Sequence, residues 1–363
     1  MDLDEELEAW MTLALAPGLS ADNFRKLLVA FGGPQQILGA SRKALANVVP
    51  DAAAAAALAP VPRELMQGVG AWLDDPLNRV LTYADSVYPQ GLLQMPDPPP
   101  VLYVKGRVDL LNGRALAIVG SRSATRQGIE HAESFAHVLA DAGLTIVSGL
   151  AAGIDAAAHR GGLQGKASTV AVVGTGLDSV YPARNRDLAH EVAAKGCLIS
   201  EFPLGTPPLK ENFPRRNRVI AGLARGCLVV EAAVSSGSLI TARLANEQGK
   251  DVFAIPGSIH SPLSKGCHAL IKQGAKLVET AQDILEELGM VRTAVAAARP
   301  APPADVDDPL LDALGYDACD IDTLAERSGA PAGEVAARLT ELEIEGIVEA
   351  LPGDATSARV EAC

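Results

Sequence analysis

The sequence is short of cysteine, of aromatic rings and of long apolar runs. Its five cysteines (Cys197, Cys227, Cys267, Cys319 and Cys363) are odd in number, widely spaced and without a C-x-x-C pair, which argues against both a zinc site and a disulfide framework. They are expected to be reduced and mostly buried. No stretch approaches the roughly 18 uninterrupted apolar residues of a membrane span, and Met1-Asp2-Leu3-Asp4-Glu5-Glu6 lacks the basic start of a secretory signal. The expectation is a cytoplasmic protein that does not engage a membrane. Two nucleotide signatures are also missing. Gly174-Thr175-Gly176 continues into Leu177-Asp178-Ser179 without the third glycine of G-x-G-x-x-G, and no G-x-x-x-x-G-K-[ST] occurs. A dinucleotide dehydrogenase fits poorly, a P-loop is absent, and no cofactor or metal is expected.

What the chain does have is uneven charge. Its formal net charge is −13, yet residues 301–363 hold fifteen acids against Arg327, Arg338 and Arg359, a net of −12, which leaves residues 1–300 at −1. The acidity belongs to the C-terminal region, so the main body is not set against polyanions. Within that body, Lys210-Glu211-Asn212-Phe213-Pro214-Arg215-Arg216-Asn217-Arg218 gathers four cations and one of the few aromatics, in a chain with 4% aromatic residues. Guanidinium groups pair bidentately with phosphate oxygens, and a ring among them offers a face to an unpaired base. A solvated helix with Phe213 in the core is the competing reading.

Two breaks divide the chain. Residues 1–78 read as short helices interrupted at Pro17-Gly18 and Gly32-Gly33-Pro34, and residues 299–306 as a proline-rich linker before a small acidic domain, 307–363. Between them, residues 79–298 alternate helical stretches with apolar runs at 115–119, 144–147, 169–173, 197–199, 227–230 and 252–255. This predicts an α/β fold, a Rossmann-like doubly wound and mainly parallel sheet. Ligands of such sheets bind at the carboxyl ends of the strands.

The distinctive clusters follow those ends. Gly120-Ser121-Arg122 exposes backbone amides beside an arginine, Ser148-Gly149 leads through Gly153 to Asp155, and Glu231 precedes Ser235-Ser236-Gly237-Ser238. Asp155 suits a helix cap, and with His159 four residues on it also suits an acid–base pair. Glu231 suits a carboxylate catalyst or a brace for the Ser235–Ser238 loop.

With these motifs placed, the chain resembles the DNA-processing protein A family. The resemblance runs through Gly120-Ser121-Arg122, residues 148–155, Tyr181-Pro182-Ala183-Arg184-Asn185, Ser200-Glu201-Phe202-Pro203, residues 212–222 and residues 237–242. It implies an extended Rossmann-like domain that forms homodimers, binds single-stranded DNA in a basic pocket and helps load the RecA recombinase in natural transformation or repair. By resemblance, the DNA-binding positions are Gly120, Ser121, Arg122, Gly149, Lys210, Phe213, Arg216, Asn217 and Arg218. Ser148, Gly153, Asp155, Glu231, Gly237 and Ser238 shape the pocket. Residues 1–78 resemble a sterile-alpha-motif or helix-hairpin-helix domain, and the C-terminal region a winged helix. Its candidate recognition helix carries Glu334, Glu341, Glu343 and Glu345 against Arg338 alone, a surface expected to repel a duplex and to contact protein instead. An apolar end of the main domain (Leu270, Ile271, Leu277, Val278, Ile284, Leu285) is the expected dimer face. A nucleotide-cleaving enzyme of the lysine-decarboxylase-like type is the alternative, although Ser236-Gly237-Ser238-Leu239 does not supply its Pro-Gly-Gly-x-Gly-Thr loop.

Overall fold

Among the described residues of this computed structural model nine strands build one sheet: β1 (Asn78–Thr82), β2 (Val101–Gly106), β3 (Ala115–Val119), β4 (Thr145–Ser148), β5 (Thr169–Val172), β6 (Cys197–Ser200), β7 (Gly226–Val229), β8 (Asp251–Ala254) and β9 (Lys276–Leu277). Residues 4–290, 308–314, 319–344, 348–351 and 355–358 are described. The expected linker 299–306, Glu345, residues 346–347 and Cys363 lie outside them. The chain divides into two compact units, Met1–Met290 and Val291–Cys363.

The strand order is β1-β2-β6-β5-β4-β3-β7-β8-β9. From β6 to β9 the pairs are parallel, and the β1–β2 hairpin joins β6 antiparallel. The central strands read as continuous apolar runs because both their faces are covered. In β3, Leu116 and Ile118 share a core cluster with the helices Arg126–Asp141 and Ile154–Gln164. Ala115, Ala117 and Val119 belong to the cluster with helices Asn212–Leu223 and Ser238–Glu247 on the other face. The helix after β3 thus goes to one face and the helix after the neighbouring β7 to the opposite one. Their carboxyl ends therefore diverge into a crevice, the topological switch point of the sheet.

Among the described residues six helices precede the sheet, from Glu5–Ala14 to Arg63–Leu73. Ser20 and Ser41 cap two of them by accepting from the amides of Asn23 and Ala44. Their apolar faces (Trp10, Leu13, Phe24, Leu27) form one core with Val80, Val101 and Tyr103 of the sheet's outer hairpin. Among the described residues no helix is long and apolar enough to cross a membrane.

The second unit holds helices Pro309–Leu314, Ile321–Ser328 and Ala332–Ile344 with β10 (Cys319–Asp320), β11 (Val348–Leu351) and β12 (Ala355–Ala358), in a three-stranded antiparallel sheet of order β10-β12-β11. This is a winged helix. Glu334, Glu341 and Glu343 are exposed along its third helix. Arg338 on that helix is already paired with Asp308 and Glu341, both at 2.7 Å. The exposed side chains named on this helix are therefore acidic, and its arginine is already engaged.

One expectation needs correction. Of the residues taken as an apolar dimer face, Val278, Ile284 and Leu285 are core, and Leu270 and Ile271 pack against the opposite core. Only Leu277 is exposed. The apolar pattern there is consumed by the fold itself.

Candidate nucleic-acid interface

The loops after β3 to β7 meet at the switch point around a cavity of about 730 Å³. Gly120, Ser121 and Arg122 border it from the first loop, Ala151 and Asp155 from the second, and Tyr181 from the third. Lys210, Phe213, Arg216 and Asn217 come from the fourth, and Ser235 to Ser238 from the fifth. The basic segment forms the start of helix Asn212–Leu223. Pro214 fits there because the amide it lacks belongs to the unpaired first turn.

That helix carries its cations at the wrong end. A helix N-terminus is the positive pole of the macrodipole and disfavours cations, yet Lys210, Arg215, Arg216 and Arg218 gather there. Part of this charge is answered internally. The buried carboxylate of Glu201 accepts from Arg215 at 3.0 Å and also pairs with Arg218. Burial pushes the Glu201 carboxyl upward, and the two guanidinium groups counter that. Arg218 further pairs with Asp97 at 3.1 Å and donates to the Asp97 carbonyl at 2.5 Å, so it braces the helix and does not border the cavity. Lys210 and Arg122, both exposed, have no ion-pair partner among the described residues. At the far end of the helix, the Lys250 ammonium donates to the carbonyls of Ala221 and Gly222 at 2.6 and 2.9 Å, where a cation suits the dipole.

Arg216 forms the floor. It is 4% exposed, and its guanidinium donates to the carbonyls of Gly149, at 2.5 Å, and Val172. Burial lowers it to about 10, which leaves it protonated at neutral pH. Gly149 must be glycine because a Cβ would lie 2.3 Å from that guanidinium. Gly153 has φ +74° and would place a Cβ 2.2 Å from the Ser121 carbonyl oxygen. Asp155 does not cap its helix. It sits one residue inside, and its carboxylate accepts from the amides of Gly149 and Ala151 at 3.2 and 3.4 Å. Burial raises its affinity for a proton, and Arg216 opposes this. Ser148 lies beneath the floor, its hydroxyl donating to Ile118 at 2.6 Å.

The walls hold two further surprises. Glu231 braces a different loop from the one expected: it accepts from the Thr125 amide at 2.9 Å and hydroxyl at 2.5 Å, fixing the turn that carries Arg122. The serine loop is held by its own Ser236–Ser238 hydroxyl pair at 2.7 Å and by Asn217, which donates to the Gly237 carbonyl at 3.3 Å. Phe213 is half-buried, with the Arg122 guanidinium 5.5 Å above its ring and the Tyr181 ring 5.6 Å away. The fold thus brings Gly120, Ser121, Arg122, Lys210, Phe213, Arg216, Asn217, Gly237 and Ser238 together around one cavity. Tyr181 joins them without having been assigned a role from sequence. Its position after β5 was the available signal, since every neighbouring loop contributes.

His159 forms no acid–base pair with Asp155. Thr169 donates its hydroxyl to the Ile146 carbonyl at 2.7 Å, so the His159 Nδ1–H donates to Thr169, also at 2.7 Å, and Nε2 accepts from the Leu150 amide at 3.2 Å. Burial lowers this imidazole to about 3. Its folded-state value lies below the unfolded one near 6.5, so acid charges the unfolded chain first. Stability should fall by up to about 1.4 kcal/mol per unit as pH drops from 6.5 toward 3. Urea midpoints at pH 7 and pH 5 check this, and a His159→Gln variant with the same pH dependence as the unaltered chain would contradict it.

Comparison with known proteins agrees in sequence and in fold. The profile of the family described as DNA recombination-mediator protein A matches residues 79–289, and that of the DprA winged helix domain matches residues 294–354. Protein Smf of Escherichia coli (strain K12) is 44% identical over 301 residues, covering 80% of each chain. The DNA processing protein DprA of Streptococcus pneumoniae (strain ATCC BAA-255 / R6) is 50% identical over 203 residues, 56% of this chain and 72% of that protein. The X-ray structure of DNA processing protein A from Streptococcus pneumoniae superposes with a TM-score of 0.66 at 39% identity, covering 79% of this chain and 99% of that one. A DNA processing protein A from Helicobacter pylori, the subject of structural work on its single-stranded DNA binding mode, gives 0.53 at 30% identity over 58% of this chain and 95% of that one.

Proposed function

The chain belongs to the DNA recombination-mediator protein A family, and from that premise we propose that its switch-point cleft binds single-stranded DNA with little regard to sequence. The observation that carries this reading is the ring of Phe213 set among cations without an ion-pair partner among the described residues, Arg122 above it and Lys210 beside the same cavity. Unpaired bases offer faces to stack and phosphates to pair, whereas a duplex hides the faces. The protein acts as a binder and not as an enzyme. Asp155 borders the cleft, but its carboxylate is engaged by the amides of Gly149 and Ala151, His159 is tied to the Leu150 amide and to Thr169, and Glu231 is tied to Thr125. Release of free base from nucleoside monophosphates would overturn this and favour the nucleotide-cleaving alternative.

The direct test is binding to a labelled oligothymidylate against salt. Single strand should be preferred to duplex, and Arg122→Ala or Lys210→Ala should each lower the slope of log K against log salt by about 0.7. Slopes equal to that of the unaltered chain in both variants would refute the assignment.

In the cell, the reading extends to loading of a RecA-type recombinase on the bound strand, during transformation or repair in the cytoplasm. It also extends to a homodimer that places two clefts on one strand, which sedimentation of the full chain decides. The acidic winged helix serves protein contact. Deleting residues 300–363 should leave single-strand affinity unchanged or slightly higher at low salt, and a loss of about tenfold would show instead that this unit touches DNA.

A further inference from the structure

Phe213 borders two cavities and not one. The second is a smaller cavity of about 130 Å³, which shares Arg122, Tyr181, Phe213 and Arg216 with the larger one and is completed by Pro182 and Arg184 from the loop after β5. We infer that this second cavity is a further nucleotide subsite, in which the face of Tyr181 takes the base next to the one on Phe213 and Arg184 takes the phosphate that follows. The inference rests on the single-strand reading of the larger cleft.

Three observations carry it. Tyr181 is 46% exposed although aromatic, and its ring centroid lies 5.6 Å from that of Phe213 at an angle of 38°, within the range of directly interacting rings. The two rings are thus neighbours, tilted to each other, among the residues that line both cavities. The cations follow the same course: Lys210 borders only the larger cavity, Arg184 only the smaller, and Arg122 both. Arg184 is exposed and has no ion-pair partner among the described residues. Finally, the loop is held in place. The buried Asn185 side chain donates to the carbonyls of Leu150 and Ala151 at 2.8 and 3.1 Å, which fixes the loop of Tyr181 against the loop that carries the cleft floor. A stacking ring and a cation on a held loop meet a strand at a lower ordering cost.

Fluorescence anisotropy of the full chain with oligothymidylates of graded length tests it, with Phe213→Ala measured alongside. Tyr181→Ala should weaken binding of long oligothymidylates by about tenfold, at the lower end of the effect of losing one stacked base. Tyr181→Phe should retain binding, because the face and not the hydroxyl is used. Arg184→Gln should lower the salt slope by about 0.7. Below some length the oligothymidylate fills one subsite alone, and there the penalty of Tyr181→Ala should disappear while that of Phe213→Ala remains. Unchanged affinity of Tyr181→Ala at every length, with Phe213→Ala weakened, overturns the second subsite only. A loss in Tyr181→Phe equal to that in Tyr181→Ala overturns the stacking role. If Phe213→Ala also binds like the unaltered chain, the reading of the larger cleft falls with it.

Discussion

Replacing Arg216 by Ala should destabilise the folded protein by about 3–5 kcal/mol, the usual cost of removing one partner from a buried charged network. Arg216 differs in this from the exposed Arg215 of the same helix. Its guanidinium satisfies the carbonyls of Gly149 and Val172, and its charge is the chief attraction acting on the buried Asp155 carboxylate. Truncation leaves two buried acceptors unpaired, a carboxylate without its counter-charge, and a void against Gly149. Lys should recover only part of the loss: both carbonyls accept from one guanidinium nitrogen, Nη1, which an ammonium can imitate, but the Nε–H that Arg216 donates to Asn217 has no counterpart in Lys. The pH dependence supplies an internal check. Without Arg216 the Asp155 carboxyl moves further above its unfolded value, and a raised acid favours folding below that value and disfavours it as pH rises. The deficit of Arg216→Ala against the unaltered chain should therefore shrink from pH 8 toward pH 4. Urea unfolding at both pH values measures it. A loss below about 1 kcal/mol would mean that Arg216 is free to meet a ligand and is not part of the floor.

This buried role shows where sequence reasoning runs out. The six central strands were legible to within a residue because parallel strands covered on both faces are uninterrupted apolar runs bounded by Gly and Ser. The β1–β2 hairpin was not read, since it joins the sheet antiparallel without a helical crossover and so breaks the strand–helix alternation. At the site, the loops were legible because each follows a strand end. Which arginines face the cleft was not. Arg215, Arg216 and Arg218 stand on a helix with 3.6 residues per turn, so neighbours in sequence point in different directions. The acids that claim two of them come from afar: Glu201 reaches Arg215 across 14 residues and Arg218 across 17, and Asp97 reaches Arg218 across 121. Glu231 and Thr125, 106 residues apart, escaped for the same reason. Spacing locates a cluster, but pairing within it is decided by the packing of distant loops.

Phe213→Ala should weaken single-stranded DNA binding by about 1–3 kcal/mol with little change in salt dependence, since stacking is lost and no charge is removed. The ring is placed for this. It rests against Gly174, where a Cβ would come within 3.0 Å of the ring, and it meets Arg122 and Tyr181 on its other sides. Half-burial fixes its orientation, and its remaining surface faces the cavity. Two causes of lost affinity need to be separated, because Arg122 lies 5.5 Å over the ring and is positioned in part by it. If truncation acted by releasing Arg122, the salt slope would fall as it does in Arg122→Ala. If it acts through the stack, the slope holds and Phe213→Trp restores affinity with a larger face. Affinity of Phe213→Ala equal to that of the unaltered chain at every salt concentration would show that the ring is a packing residue of the cleft wall, and the case for a site built to read unpaired bases would fail.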